Sequence, residues 1–469
     1  ISLYGGVYES IDDGVITAAS YEPGTQNTLI IKNTTLTNVD AILGFQNYEF
    51  VLSKDADPGS TIITMKDNAE ANLEGANVKV IYDSQQSLPK NGEDYKVTSY
   101  DIVLINKAKG SLAATSAVVA NAEEAVKLSD AEEKIKPTVS VANNSLLMRV
   151  PVVQVNQSYF EQMKSVSETK IASLAMVRNS DGVINHCIEN VFAQPVHSIA
   201  MFGEASAASN RVNSGSHVDT RGFSAVIGFG VSGNFDESKL LVGTFAEFGS
   251  GTYDSHNEYK NAPDTKGEGK TQYIGGGIMG RFSINTSDNS RFYIDGAARA
   301  GSAKMDYQSS DVVDYATGKA TSYDVHSGYC GLSAGCGHIH DIEDVSINLY
   351  CRYIWTHQNG NNTTLSTEKH MEVDSVSSQR VQAGILLSHK VADTINFYFD
   401  AGYEHESSGK VNARVNGNAL DSPSLRGNVG KGELGLSFID ESITVNVGVQ
   451  GSVGACRGVA GKLQISFQI

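Results

Sequence analysis

The chain has 469 residues, 40% of them hydrophobic, with 46 glycines, only 8 prolines and a formal net charge of −17. The acidic balance excludes a broad phosphate-binding surface, which needs clustered Lys and Arg, so no nucleic-acid partner is expected. No run of about 18 uncharged apolar residues occurs, which argues against a spanning helix but not a spanning barrel, because barrel strands alternate polar and apolar residues.

Residues 1–110 carry short β-rich runs at Thr28–Ile31, Tyr48–Leu52, Ser60–Met65 and Asn77–Tyr82, separated by Asn, Asp and Gly. β-Branched and aromatic residues between turn formers predict short strands. A parallel β-helix suits them, and without a strict repeat period a β-sandwich stays open. The start at Ile1, with no charged and apolar leader, points to a processed chain or a fragment.

Residues 111–195 differ in texture. The stretch 111–135 is rich in Ala, Glu and Lys and ends before Pro137, which predicts a helix or a linker. Tyr159–Val177 places Phe160, Met163, Val166, Ile171, Leu174 and Val177 largely at spacings of three and four, one face of a helix. Gly182 is expected to interrupt it, with a second helical stretch over Val183–Phe192 before Pro195.

Residues 196–469 show alternation with a period of two. In Ser442–Val449 the apolar set is Ile443, Val445, Val447 and Val449; in Lys462–Ile469 it is Leu463, Ile465, Phe467 and Ile469. About twelve such segments occur, from 197–209 to 459–469, each near or above the roughly 10 residues that cross an outer membrane. Short links at Asp236-Glu237, Thr286–Ser290, Asp341–Glu343, Ala392-Asp393 and Asp440-Glu441 alternate with polar stretches at 210–218, 253–269, 307–321, 359–374 and 409–423, and only the last link, near Cys456, is short where a longer one is expected. That rhythm of short turns and long loops predicts a closed antiparallel barrel, which leaves no unpaired edge in hydrocarbon. The polar parity includes Arg281, Asp295, Arg299, Arg352, Asp400, Glu404 and Glu433. In a packed core these charges would be costly; in a wet lumen they can pair.

The helical Tyr159–Asn190, then Ile199–Glu204, Gly215–Val218, Gly222–Gly228, Val242–Gly249 and the closing Gly461–Ile469 together resemble the autotransporter (type Va secretion) family over about 155–469. The resemblance implies an all-β fold: a twelve-stranded transmembrane barrel at 196–469, preceded over 111–195 by a linker and a pore helix supplied by Tyr159–Phe192. Residues 1–110 would be the end of a β-helix-like passenger. It implies secretion or display of the chain's own N-terminal part, without a cofactor and without enzymatic activity of the barrel. The expected partners are outer-membrane lipid and lipopolysaccharide, the barrel assembly machinery and periplasmic chaperones, around a monomer. A barrel-anchored adhesin or a porin is the alternative. The chain ends on Ile469 where many outer-membrane strands end on Phe or Trp, with Phe467 two positions earlier.

Some members of the family cut their passenger inside the pore. Asn185 or Asn190 would be the helix partner here, with Glu247, Asp400, Glu404 or Glu433 as the acid. The preferred expectation is that these charges hold the helix by paired hydrogen bonds. His338 and His340, with Asp341, share the spacing of a metal site, but a polar girdle near a turn is the preferred assignment. Cys330, Cys336 and Cys351 are expected to pack as small apolar residues rather than to form a disulfide, and Cys187 to pack on the helix.

Overall fold

The computed structural model describes residues 2–8, 15–17, 27–53, 56–82, 94–106, 110–114, 116–120, 126–128, 131–133, 137–156, 158–192, 199–260, 262–440 and 442–468. They form two compact units, Ile1–Gln157 and Ser158–Ile469.

In the first unit, β1 (Ser2–Tyr8), β2 (Val15–Thr17), β3 (Thr28–Leu43), β4 (Asn47–Val51), β5 (Thr61–Ala71), β6 (Asn77–Ile81), β7 (Asp94–Asn106) and β8 (Ser116–Ala120) pair in parallel. One stack runs β3–β4–β6–β8 and a second runs β3–β5–β7. The register lays Leu29, Tyr48 and Val78 in one row and Ile31, Phe50 and Val80 in the next. All six are buried. Strand alternation turns every second residue inward, so stacked rungs share one continuous core, as in a β-helix. Asn33 and Asn38 bend β3 at φ of 50° and 58°, a left-handed conformation that Asn adopts more readily than most residues.

β9 (Val126–Leu128) and β10 (Ala131–Glu133) pair with each other, while β11 (Thr138–Ala142) and β12 (Ser145–Asn156) extend β7 as antiparallel strands. The structure thus differs from the helix or linker expected over 111–135. Part of that stretch is strand, and the strands of the first unit continue to Asn156. In β12 the side chains of Leu146, Met148 and Val150 are buried at period two, and in the stretch ahead of it β8 is drawn into strand by parallel pairing along β6.

The second unit opens with a single turn, α1 (Tyr159–Gln162), and a 29-residue helix, α2 (Lys164–Phe192). The helix continues through Gly182, contrary to the expected break. A glycine inside a helix costs only about 1 kcal/mol, and buried neighbours on both sides, Asp181 and Val183, hold the segment in place.

Sixteen strands follow: β13 (Ile199–Asn213), β14 (His217–Phe235), β15 (Ser238–Asn257), β16 (Thr265–Ser287), β17 (Ser290–Val313), β18 (Ala320–Ile342), β19 (Val345–Gln358), β20 (Asn361–Thr364), β21 (His370–Val373), β22 (Val376–Ala392), β23 (Ile395–Glu406), β24 (Ala413–Val415), β25 (Asn418–Ala419), β26 (Gly427–Ile439), β27 (Ile443–Gly454) and β28 (Cys456–Gln468). Twelve of them close an antiparallel barrel, and β28 pairs with β13 to seal it. Tight turns join strands at one end, where Asp236 and Glu343 take φ of 52° and 50°.

At the other end the structure departs from the expected loops. Strands run on into 210–218, 253–269 and 307–321, and β16, β17 and β18 reach 23, 24 and 23 residues, about twice the span of a membrane. The polar composition there marks strand standing in water. Segments 359–374 and 409–423 hold β20, β21, β24 and β25, a four-stranded sheet. Leu365, Met371, Val411, Val415 and Leu425 of this cap cluster with Tyr159 and Met163 at the head of the helical segment.

The outer face is apolar and bare. Val453, Ile278, Val449 and Ile294 are more than 60% exposed, on strands whose alternate residues point into the barrel. Such a continuous apolar belt calls for lipid. Inside, large rings sit over glycines. A Cβ at Gly435 or Gly448 would fall 2.2 or 2.5 Å from the Tyr398 side chain. The many glycines of the chain therefore serve packing as well as curvature.

Candidate functional site

The helix α2 lies within the barrel, and its burial is not one-sided. Residues 163–177 are buried on every side, Ser165, Ser167, Glu168, Thr169, Lys170 and Ser173 among them. A helix docked on an ordinary core would present one apolar stripe. Here the polar faces are buried against polar barrel walls, and each charge must be matched, because an unpaired buried charge is costly.

The matches run in layers. Near the capped end, Glu168 accepts from Ser214 Oγ and Asn257 Nδ2, both at 2.8 Å, and Lys164 Nζ donates to Ser216 Oγ at 3.1 Å. Lys170 Nζ donates to Ser327 Oγ at 3.0 Å and to the carbonyl of Asn359. Tyr253 and Tyr307 meet Thr169 and Ser165 through their hydroxyls. At mid-depth Asp181 pairs with Arg299 at 2.5 Å and with Arg380. Arg299 also donates to Glu247 at 2.8 Å, and Ser180 donates to that carboxylate from the helix. Arg178 pairs with Glu404 at 2.8 Å, and Lys431 meets Glu404 from the adjacent strand β26 at 2.7 Å. Towards the tight turns, His186 meets Glu204 at 2.9 Å, and Glu189 stands 3.8 Å from both Arg281 and Arg352.

All seven charges expected in the lumen point inward. Arg281, Arg352 and Asp295 form one cluster, with Arg281–Asp295 at 2.6 Å and Arg352–Asp295 at 3.1 Å. Glu433 pairs with Lys462 at 2.6 Å and Asp400 accepts from Tyr350 at 3.0 Å. Of the closing strand, Leu463, Ile465 and Phe467 alternate with the buried Gln464 and Ser466, while Ile469 lies outside the described residues.

Sequence reasoning missed the helix's own charges, Arg178, Asp181 and Glu189, and the barrel residues Arg380, Glu204 and Lys462. Parity was an available signal for the strand residues: Arg380 shares the inward parity of Ser378.

The acids and amides considered for cutting the passenger inside the pore divide. Asn185 lines a cavity of about 130 Å³ together with Asp400, Glu404 and Glu433. Glu247 is held by Ser180, Arg299 and Tyr329 instead. The side chain of Asn190 lies outside the described residues. Gly331–Gly335 has the Gly-x-Ser-x-Gly form of a hydrolase elbow, but it sits inside β18 rather than at a strand-to-helix turn, so the serine is not presented for attack.

His338 sits tilted against Phe292 at 4.4 Å and His340 bonds Ser290 at 2.7 Å, with the two imidazoles parallel at 6.3 Å, so each ring is engaged by a neighbouring side chain near the turn. The five cysteines are free; Cys336 and Cys351 face outward as register partners on β18 and β19, and Cys187 is buried on α2.

In the cap, burial alone would raise the Asp314 carboxyl. Bonds from Lys369 and Thr317 hold it below its ordinary value instead. Lys369 Nζ lies 2.8 Å from Asp314 and 3.9 Å from the centre of the Tyr159 ring, which ties the cap to α1.

The autotransporter β-domain family model matches residues 201–450. No curated protein sequence matches the chain. Among solved structures it is similar to the translocator domain of the autotransporter NalP from Neisseria meningitidis, at 12% identity and a TM-score of 0.48, covering 67% of this chain and 100% of that one. It is also similar to the β domain of the Bordetella autotransporter BrkA, at 11% identity and a TM-score of 0.45 over 58% of this chain and 100% of that one. The transport unit of AIDA-I from Escherichia coli is similar at 13% identity and a TM-score of 0.45, over 66% of this chain and 98% of that one.

Proposed function

The chain belongs to the autotransporter β-domain family, and on that premise we propose that it displays its own N-terminal part at the cell surface. Its barrel is an outer-membrane translocator. The observation that carries the proposal is the direction of α2. Its first turns bond Ser214, Ser216 and Asn257 at the end of the long strands and cap, and Glu189 stands by Arg281 and Arg352 towards the tight turns. Long connections face outward and short turns face the periplasm in barrels of this kind. The helix therefore leads the chain from the outside back into the pore, and residues ahead of Ser158 are passenger.

A freely conducting porin needs an open lumen, and α2 occupies it. In this reading the barrel performs no covalent chemistry, and the lumen charges hold the helix. Cleavage near Asn185 is the less favoured alternative, because the acids beside it are already engaged: Glu404 by Arg178 and Lys431, Glu433 by Lys462 and Asp400 by Tyr350. The partners that go with the proposal are outer-membrane lipid and lipopolysaccharide, periplasmic chaperones, and the barrel assembly machinery acting on the strand with Leu463, Ile465 and Phe467.

The test is protease access on intact cells with a cleavable tag in the Asn143-Asn144 turn between β11 and β12. Cutting from outside supports display. Protection on intact cells, with cutting only after the outer membrane is opened, would place these residues in the periplasm and overturn it.

A further inference from the structure

β14 and β15 are joined by the tight turn at Asp236-Glu237, and their far ends are held by what lies on the two faces of the hairpin. On the inner face, Ser216 and Asn257 bond each other at 2.8 Å and contact Lys164 and Glu168 of α2. On the outer face the same end carries His217 and His256, which are direct register partners. Their rings stack with centroids 4.7 Å apart and 23° between planes. Asp219, two residues along β14, points to the same face.

We propose that His217, His256 and Asp219 form a divalent transition-metal site, suited to zinc, at this open end of the hairpin. One donor atom from each residue lies within 4.8 Å of the others. Rotation of the side chains closes that spacing onto an ion with bonds of about 2.0–2.2 Å. Two imidazoles and one carboxylate are a donor set that zinc favours, with water completing the tetrahedron.

Asp219 is already oriented. Arg211 donates to its two oxygens at 2.6 and 2.7 Å. A carboxylate offers about four acceptor positions, so a metal can take one that the guanidinium leaves open. Such hydrogen bonding from outside the coordination sphere is the usual way a ligand is aimed. Arg457, the register partner of Arg211, adds a second cation, and Asp254, the register partner of Asp219, adds a second carboxylate. With neutral imidazoles, the formal charges of this group cancel before the ion arrives.

A zinc ion here would staple β14 to β15 where the hairpin is farthest from its turn. It would act on the rung whose inner face grips the head of α2.

The experiment titrates Zn2+ alone into the full chain, folded in detergent and stripped of metal, and uses Co2+ in parallel for its visible absorption. The expected result is one Zn2+ per chain, with affinity falling at least tenfold in His217→Ala and in His256→Ala and less in Asp219→Asn. Each variant is checked for the heat-dependent gel shift of a folded barrel. Should a variant fail that check, the unaltered chain decides: zinc should shield His217 and His256 from diethyl pyrocarbonate while His326, His338 and His370 stay reactive. Absence of binding, binding unchanged in both histidine variants, or equal shielding of all histidines would each overturn the site.

Discussion

Asp181 is the point at which the helix is tied to two separate strands of the barrel, through Arg299 on β17 and Arg380 on β22. Asp181→Asn keeps the shape and removes the charge. Breaking a buried ion pair from one side costs about 3–5 kcal/mol because the other charge stays buried. Neither arginine is left alone, since Arg299 keeps Glu247 at 2.8 Å and Arg380 keeps Glu404 at 3.6 Å. The lower figure therefore applies, and about 3 kcal/mol raises the ratio of undocked to docked helix roughly hundredfold. Single-channel recording in planar bilayers reads this directly, because a helix that leaves the lumen opens a pore. The variant should show open events far more often than the unaltered chain, with the same open level as a chain lacking 158–192. An unchanged open frequency in a properly folded Asp181→Asn barrel would refute the claim that these pairs hold the helix.

Ile278→Arg, on the bare outer face of β16, should destabilise the barrel by about 2–4 kcal/mol in lipid, whereas Gln450→Arg in the lumen should cost much less; unfolding in urea from vesicles separates the two. Gly435→Val forces a side chain into the Tyr398 ring, and overpacking of this kind costs about 1–3 kcal/mol, seen as a lower temperature for loss of the compact gel form. In the first unit Phe50→Ala empties a fully buried position at a cost of about 3–5 kcal/mol, which limited proteolysis should report as earlier cutting of the N-terminal unit. The Asp314 carboxyl is depressed, so its contribution to the cap is present above the unfolded value of about 3.9 and is lost as pH falls through the lower folded value. Asp314→Asn should remove that acid-dependent loosening, measured by cap proteolysis across pH.

The barrel was legible because its strands alternate strictly, as in Ile443 to Val449, and because links such as Asp236-Glu237 are too short for anything but a hairpin. The lumen side of Arg281, Arg299 and Glu404 followed from the same parity. The pairing of those charges did not. Asp181 meets Arg299 and Arg380 only after helix and barrel are brought into register, and no local pattern encodes contacts 118 and 199 residues apart. The extended strands and the four-stranded cap were hidden by composition. Above the membrane a barrel strand needs no apolar outer face, so 253–257 and 307–313 look like loop. The helix or linker expected ahead of Pro137 failed for the opposite reason: local composition there is overruled by strand pairing, of 116–120 along β6 and of 126–128 with 131–133.

The most direct test of the central claim places α2 inside the lumen by cross-linking. Gln358 Nε2 donates to Ser173 Oγ at 2.9 Å, so Ser173→Cys with Gln358→Cys brings two thiols together across the helix–barrel interface. Mild oxidation of the folded chain in membranes should give a cross-linked form with altered gel mobility, reversed by reductant and absent in either single variant. A folded double variant that never cross-links would show that the helix does not occupy the pore.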